Sequence, residues 1–133
     1  MKKLIIIAVI SLLTVSAFAQ GQKSEKEQEK EFYEAIQTQV DRLAENLDLA
    51  DWQIFYADSI LTHNYTALQQ EFKEMNENKV SNSDHYYAVQ DKWMEETYLA
   101  FQRILDEEQW AKYLKTGAAR DKKARDKRAA KHK

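Results

Sequence analysis

Three features of the sequence predict an all-α fold. The 133 residues include no Pro and only two Gly, Gly21 and Gly117, whereas a β-rich domain needs turn residues at short spacing. Apolar residues recur three and four positions apart over long stretches, the period of an amphipathic helix face. Charged residues make up 32% of the chain with both signs mixed, as helices with wide solvated faces require. The arrangement expected is a long antiparallel helical hairpin with a shorter helix at each end.

Residues 1–19 are expected to be a cleaved signal peptide. Lys2 and Lys3 form a positive start, Leu4 to Val15 is an apolar run too short for a membrane span, and Ala17-Phe18-Ala19 is a small-x-small cleavage site. No Cys follows, so a lipoprotein anchor is not expected; the reading is export to the periplasm as a soluble protein. Without Cys the chain also has neither disulfides nor thiolate chemistry. The helical domain is expected over 20–116, followed by a basic tail over 117–133.

In chain order, Ser24-x-x-Glu27 is a capping box that opens the first helix. Its first two turns are almost wholly charged. Phe32, Ile36, Val40, Leu43 and Leu47 then form one apolar stripe, and the helix should stop near Asn46 to Asp48. The second helix follows Leu49-Ala50-Asp51-Trp52-Gln53, with either Ala50 or Asp51 as its cap, and runs to about Glu77. Leu61, Tyr65, Leu68, Phe72 and Met75 give it a seam alternating by four and three. Its upstream part is aromatic on more than one face, which implies two neighbours there.

Asn76 to Asp84 reads as a loop, with Ser81 or Ser83 capping the third helix. Tyr86, Val89, Trp93, Thr97, Ala100, Phe101 and Ile104 line one face of it. The phrase Leu105-Asp106-Glu107-Glu108-Gln109 then breaks or bends the chain. Asp106 can cap a fourth helix, Gln109 can reach back to the Asp106 N–H, and Leu105 can pack against the first turn. Gly117 suits the stop of that helix.

Charge is unevenly placed. From Gln20 to Leu114 nine basic residues face twenty acidic ones, a net of −11; from Lys115 onward nine face two, a net of +7. The tail has no apolar side chain larger than Ala, so the expectation is a frayed helix or a disordered arm. It lacks interleaved aromatics, which argues against nucleic acid. Its expected targets are an anionic membrane surface, an acidic partner or the acidic body of the chain itself; the alternative is an arm that only solubilises.

No catalytic constellation is visible. His63, His85 and His132 are isolated, and neither His63 nor His85 follows an acidic residue by three or four positions, so the Glu-x-x-His di-metal pattern is missing. There is no His-Glu-x-x-His, glycine-rich phosphate loop or Gly-x-Ser-x-Gly. Glu95-Glu96 and Glu107-Glu108 read as solvated faces, and Asn64-Tyr65-Thr66 as a chance sequon inside a helix. The expectation is a non-enzyme with no metal or cofactor. Two or three thin helices bury only one side each, so the aromatics Trp52, Phe55, Tyr56, Trp93, Tyr98 and Trp110 are either covered by a second copy or a working surface.

Leu49…Gln53 and Leu105…Gln109 are one phrase said twice. Paired Leu-x-x-x-Gln phrases on an exported, cysteine-free, all-helical chain resemble the Spy/CpxP family of periplasmic proteins, whose signature is a repeated Leu-Thr-x-x-Gln opening a helix each time. Here Asp106 and Ala50 stand in the Thr places. The resemblance implies a hairpin that dimerises into a thin curved cradle and binds unfolded or envelope-stress clients without ATP, or restrains a sensor kinase. Some relatives bind zinc; this chain has no His/Cys cluster to match.

The functional expectation is an exported holdase-type chaperone or envelope-stress protein. The alternative is a regulatory or structural protein with one envelope partner, such as a sensor domain. Taken physically, Leu49, Gln53, Leu105, Asp106 and Gln109 are helix-start devices rather than a site.

Overall fold

The computed structural model describes residues 24–132, and the signal-peptide reading of residues 1–19 lies outside them. The described chain is all helical, as the sequence predicts. Its elements are α1 (Glu25–Leu47), α2 (Asp51–Glu77), α3 (Ser83–Ile104), α4 (Glu107–Tyr113), a wide π-type turn (Leu114–Ala118) and α5 (Ala119–Lys131).

α1 begins where the Ser24 hydroxyl accepts the Glu27 N–H. Phe32, Ile36, Val40 and Leu47 are buried, and Leu43 packs against them. At 23 residues α1 is as long as the 22-residue α3, which corrects the expectation of a shorter helix at that end. Its charged first turns add length without needing a partner, because Ser24 caps them. α1 ends with Asp48 left-handed (φ 52°) and Leu49 N–H bonded to the Ala44 carbonyl. α2 closes the same way, with Lys79 left-handed (φ 55°) and Val80 N–H on the Met75 carbonyl. Both are closures in which a left-handed residue lets a later N–H reach back to an orphan carbonyl.

α2 and α3 share the largest contact surface. Glu71 meets Lys92 and Trp93, Asn64 donates to Thr97 Oγ1 at 2.9 Å, and Gln53 reaches the Ile104 carbonyl. The numbers fall along one helix as they rise along the other. Leu61, Tyr65, Leu68 and Phe101 are buried in the core. The cap of α3 is Asn82, whose side chain accepts the Asp84 N–H at 2.9 Å, and not Ser81 or Ser83. All three residues are competent caps. The five-residue loop after Glu77 decides which one the chain presents in extended form.

The two repeated phrases meet. Gln53 Nε2 donates to Gln109 Oε1 at 2.6 Å, and Gln109 Nε2 donates to Gln53 Oε1 at 2.9 Å. Each Oε1 also accepts the backbone N–H that opens its own helix: Ala50 at 2.9 Å and Asp106 at 3.1 Å. Each Nε2 also reaches the end of the helix before the other phrase. Gln53 takes the Ile104 carbonyl at 2.8 Å, and Gln109 lies 3.3 and 3.4 Å from those of Leu47 and Asp48. Both amides are buried, and both donors and both acceptor sites of each are used. Leu49 and Leu105 are buried beside them. Ala50 is the cap of α2 and has no acceptor of its own, so this start rests on Gln53 alone, whereas Asp106 also accepts the Gln109 N–H at 2.8 Å.

Removing either Gln strands the partner amide in the interior, at a cost of about 1–3 kcal/mol. Gln53→Leu and Gln109→Leu are each expected to lower stability by that amount in urea unfolding. The double variant should lose clearly less than the sum of the two, the sign of direct coupling.

Candidate functional site

Of the six aromatics singled out in the sequence, three come together on α2. Trp52, Phe55 and Tyr56 sit at i, i+3 and i+4, so one helix face carries all of them. They are 55%, 67% and 49% exposed. Tyr56 packs edge-on against both neighbours, with ring centroids 6.2 Å from Trp52 and 5.7 Å from Phe55. The face lies opposite the buried side of α2, where Gln53, Ala57, Leu61 and Leu68 point. Exposed His63 continues it, and its ring meets Trp93 of α3 edge-on at 6.1 Å. Trp93 is half-buried: its indole N–H donates to Glu71 Oε1 at 3.1 Å and Lys92 lies 4.7 Å over its ring.

Tyr98 and Trp110 belong to a second group. Their centroids are 4.9 Å apart, Trp110 is 5.5 Å from Tyr113, and Tyr113 is 5.3 Å from Phe101. This group is part of the body, and α5 roofs it: Lys122 and Arg125 lie 5.6 and 5.5 Å from the Tyr98 ring.

The tail is therefore not a frayed or disordered arm. Ala119–Lys131 is a helix docked on α3. Its cohesion is electrostatic where apolar side chains are lacking. Arg125 Nε bonds Glu95 Oε2 at 3.1 Å, Lys122 bonds the other oxygen of Glu95, and Arg128 grips Asp91 through two bonds of 2.7 and 2.8 Å. Glu95 therefore faces α5 rather than solvent. Of the three targets expected for the tail, its own acidic body is the one it meets here. The sequence did carry a signal for this contact. Asp91 and Glu95 stand four apart on α3, and Lys122, Arg125 and Arg128 stand three apart on α5, so each set lines one helix face. Gly117 adopts φ 109°, a conformation that L side chains rarely take, so the chain turns there and continues into α5.

Among the described residues no group of three His, Asp or Glu side chains is placed to hold a metal ion, and no helix is long and apolar enough to cross a membrane. No family model, curated protein or solved structure matches the chain.

Burial raises the Tyr65 and Tyr113 hydroxyls above their ordinary value of 10.0. Hydrogen bonds to Glu95 and then Asp126 raise Lys122 above 10.5. In each case the folded protein keeps a proton that the unfolded chain has lost, so above these values the unfolded state binds fewer protons and stability falls with rising pH. Urea midpoints should be flat from roughly pH 7 to 9 and drop above about pH 10. The tyrosinate absorbance contributed by Tyr65 and Tyr113 should rise in step with the loss of helical circular dichroism.

Proposed function

We propose that the protein is an exported, non-enzymatic chaperone that holds hydrophobic or partly unfolded protein clients without ATP. In this reading α2 and α3 are the long sides of an antiparallel hairpin, and two copies form a thin curved cradle. The observation that carries the proposal is the exposed face of Trp52, Phe55 and Tyr56. Three adjacent aromatics turned away from the core do not help to fill it, and contiguous apolar patches of this kind mark association surfaces. The rings offer apolar contact area at small entropic cost. The nearby exposed Asp51 and Ser59 keep the surface wet and the binding reversible. The likeness of the paired Leu-x-x-x-Gln phrases to the Spy/CpxP signature supports the same reading. Zinc, cofactors and nucleic acid have no part in it.

A second reading is a regulatory or structural protein with one envelope partner. It is favoured by the outer face of α5, where Lys123, Lys127 and Lys131 stand exposed at four-residue spacing. With its inner cations engaged by α3, this helix still offers a basic stripe to an acidic partner or an anionic membrane surface.

The purified protein should suppress light scattering from an aggregating client at near-stoichiometric ratio without nucleotide. The Trp52→Ala/Phe55→Ala/Tyr56→Ala variant should lose most of that suppression. Its stability should change by no more than about 0.5 kcal/mol per site, since the side chains are on the surface. No suppression over a panel of clients would exclude the holdase. A single dominant pull-down species that depends on α5 would favour the second reading.

A further inference from the structure

The docking of α5 encloses a space that neither reading uses. α1, α3, the wide turn and α5 surround a cavity of about 290 Å³, near the lower end of the size range of small-molecule sites. Leu43, Met94, Phe101 and the ring of Tyr98 line it with apolar surface. Arg125 and Gln39 also line it. Their Nη2 and Oε1 are buried side-chain polar atoms without a hydrogen-bond partner.

Arg125 is 8% exposed. Its Nε is committed to Glu95, while Lys122 divides between the other oxygen of Glu95 and Asp126. An unmatched guanidinium N–H is left at the cavity wall, and the lining holds four Arg (Arg42, Arg120, Arg125 and Arg128) against two Asp (Asp91 and Asp121). A buried donor left without an acceptor is costly, the more so on a charged group. The planar fork of Arg is matched best by an oxyanion.

Asp91 and Asp121 also line the cavity, each paired with an Arg. A dianion such as a phosphate monoester would meet twice the repulsion from them that a single negative charge meets. Leu43, Met94, Tyr98 and Phe101 give the rest of the lining aliphatic and aromatic surface, so the rest of the ligand is apolar. The volume is that of one small molecule.

We propose that this cavity binds a small monocarboxylate with an apolar body, its carboxylate on Arg125 and its body against Leu43, Met94 and Phe101. Gln39, whose amide can turn to present either end, supplies a second polar contact. The site shares no residue with the exposed aromatic face, so it stands or falls independently of the holdase.

Isothermal titration of the whole chain with octanoate, and separately with octanol, tests the proposal. Octanoate should bind saturably at one site per chain, with octanol weaker by roughly tenfold or more, the worth of one charge-assisted hydrogen bond. Arg125→Lys keeps a cation beside Glu95 but removes the guanidinium; it should weaken octanoate by a similar factor and leave octanol unchanged. Met94→Trp fills the cavity and should abolish octanoate binding while the helical circular dichroism persists. Three results would overturn the site. They are no saturable octanoate binding, equal binding of octanol, and octanoate binding that survives in folded Met94→Trp.

Discussion

The reciprocal amide pair of Gln53 and Gln109 is the contact on which the arrangement depends. It joins four helix ends at one buried point: the starts of α2 and α4 through the N–H groups of Ala50 and Asp106, and the ends of α1 and α3 through the carbonyls of Leu47, Asp48 and Ile104. Helix ends carry unpaired donors and acceptors that must find partners when buried. Two identical side chains meet that need here because a primary amide has both kinds of group. The geometry is close to a two-fold relation between two stretches of one chain, which explains why the phrase occurs twice. It also explains how the Ala50 start survives without a capping side chain: Gln53 supplies half a capping box and the partner amide fixes its rotamer.

This junction fixes where the surfaces lie. With Gln53 turned inward, helical geometry sends Trp52, Phe55 and Tyr56 outward. With Gln109 turned inward, Trp110 falls against Tyr98 and Tyr113. The two Trp beside the phrases therefore have different surroundings, Trp52 largely in solvent and Trp110 against the rings of Tyr98 and Tyr113. The exposed aromatic face and the cavity share no residue.

Local features were legible in the sequence. The stripe from Phe32 to Leu47, the caps at Ser24 and Asp106, and the end of α2 at Glu77 all follow from spacing and capping chemistry that act within a few residues. Contacts across long separations were less so. Each Gln reads as the third residue of its own helix, and nothing within five residues says that the two, 56 positions apart, bond to each other. A helix at 119–131 is one of the two readings of the tail, but its docking carries no apolar signal. Arg125 is buried through charge, opposite Glu95. Asn82 was passed over because serines flanked it and the loop geometry chose among equals.

The most direct test of the central claim is amide hydrogen exchange at Ala50 and Asp106, followed by NMR. Both N–H groups open a helix, where a backbone acceptor is normally missing, and both donate to a buried Gln oxygen. If the amide pair is a single structural unit, the two should be strongly protected and exchange with the same free energy of opening, close to that of the core amides. Fast exchange at either position, or protection at one without the other, would show that the two phrases are separate caps and that the junction does not hold the fold together.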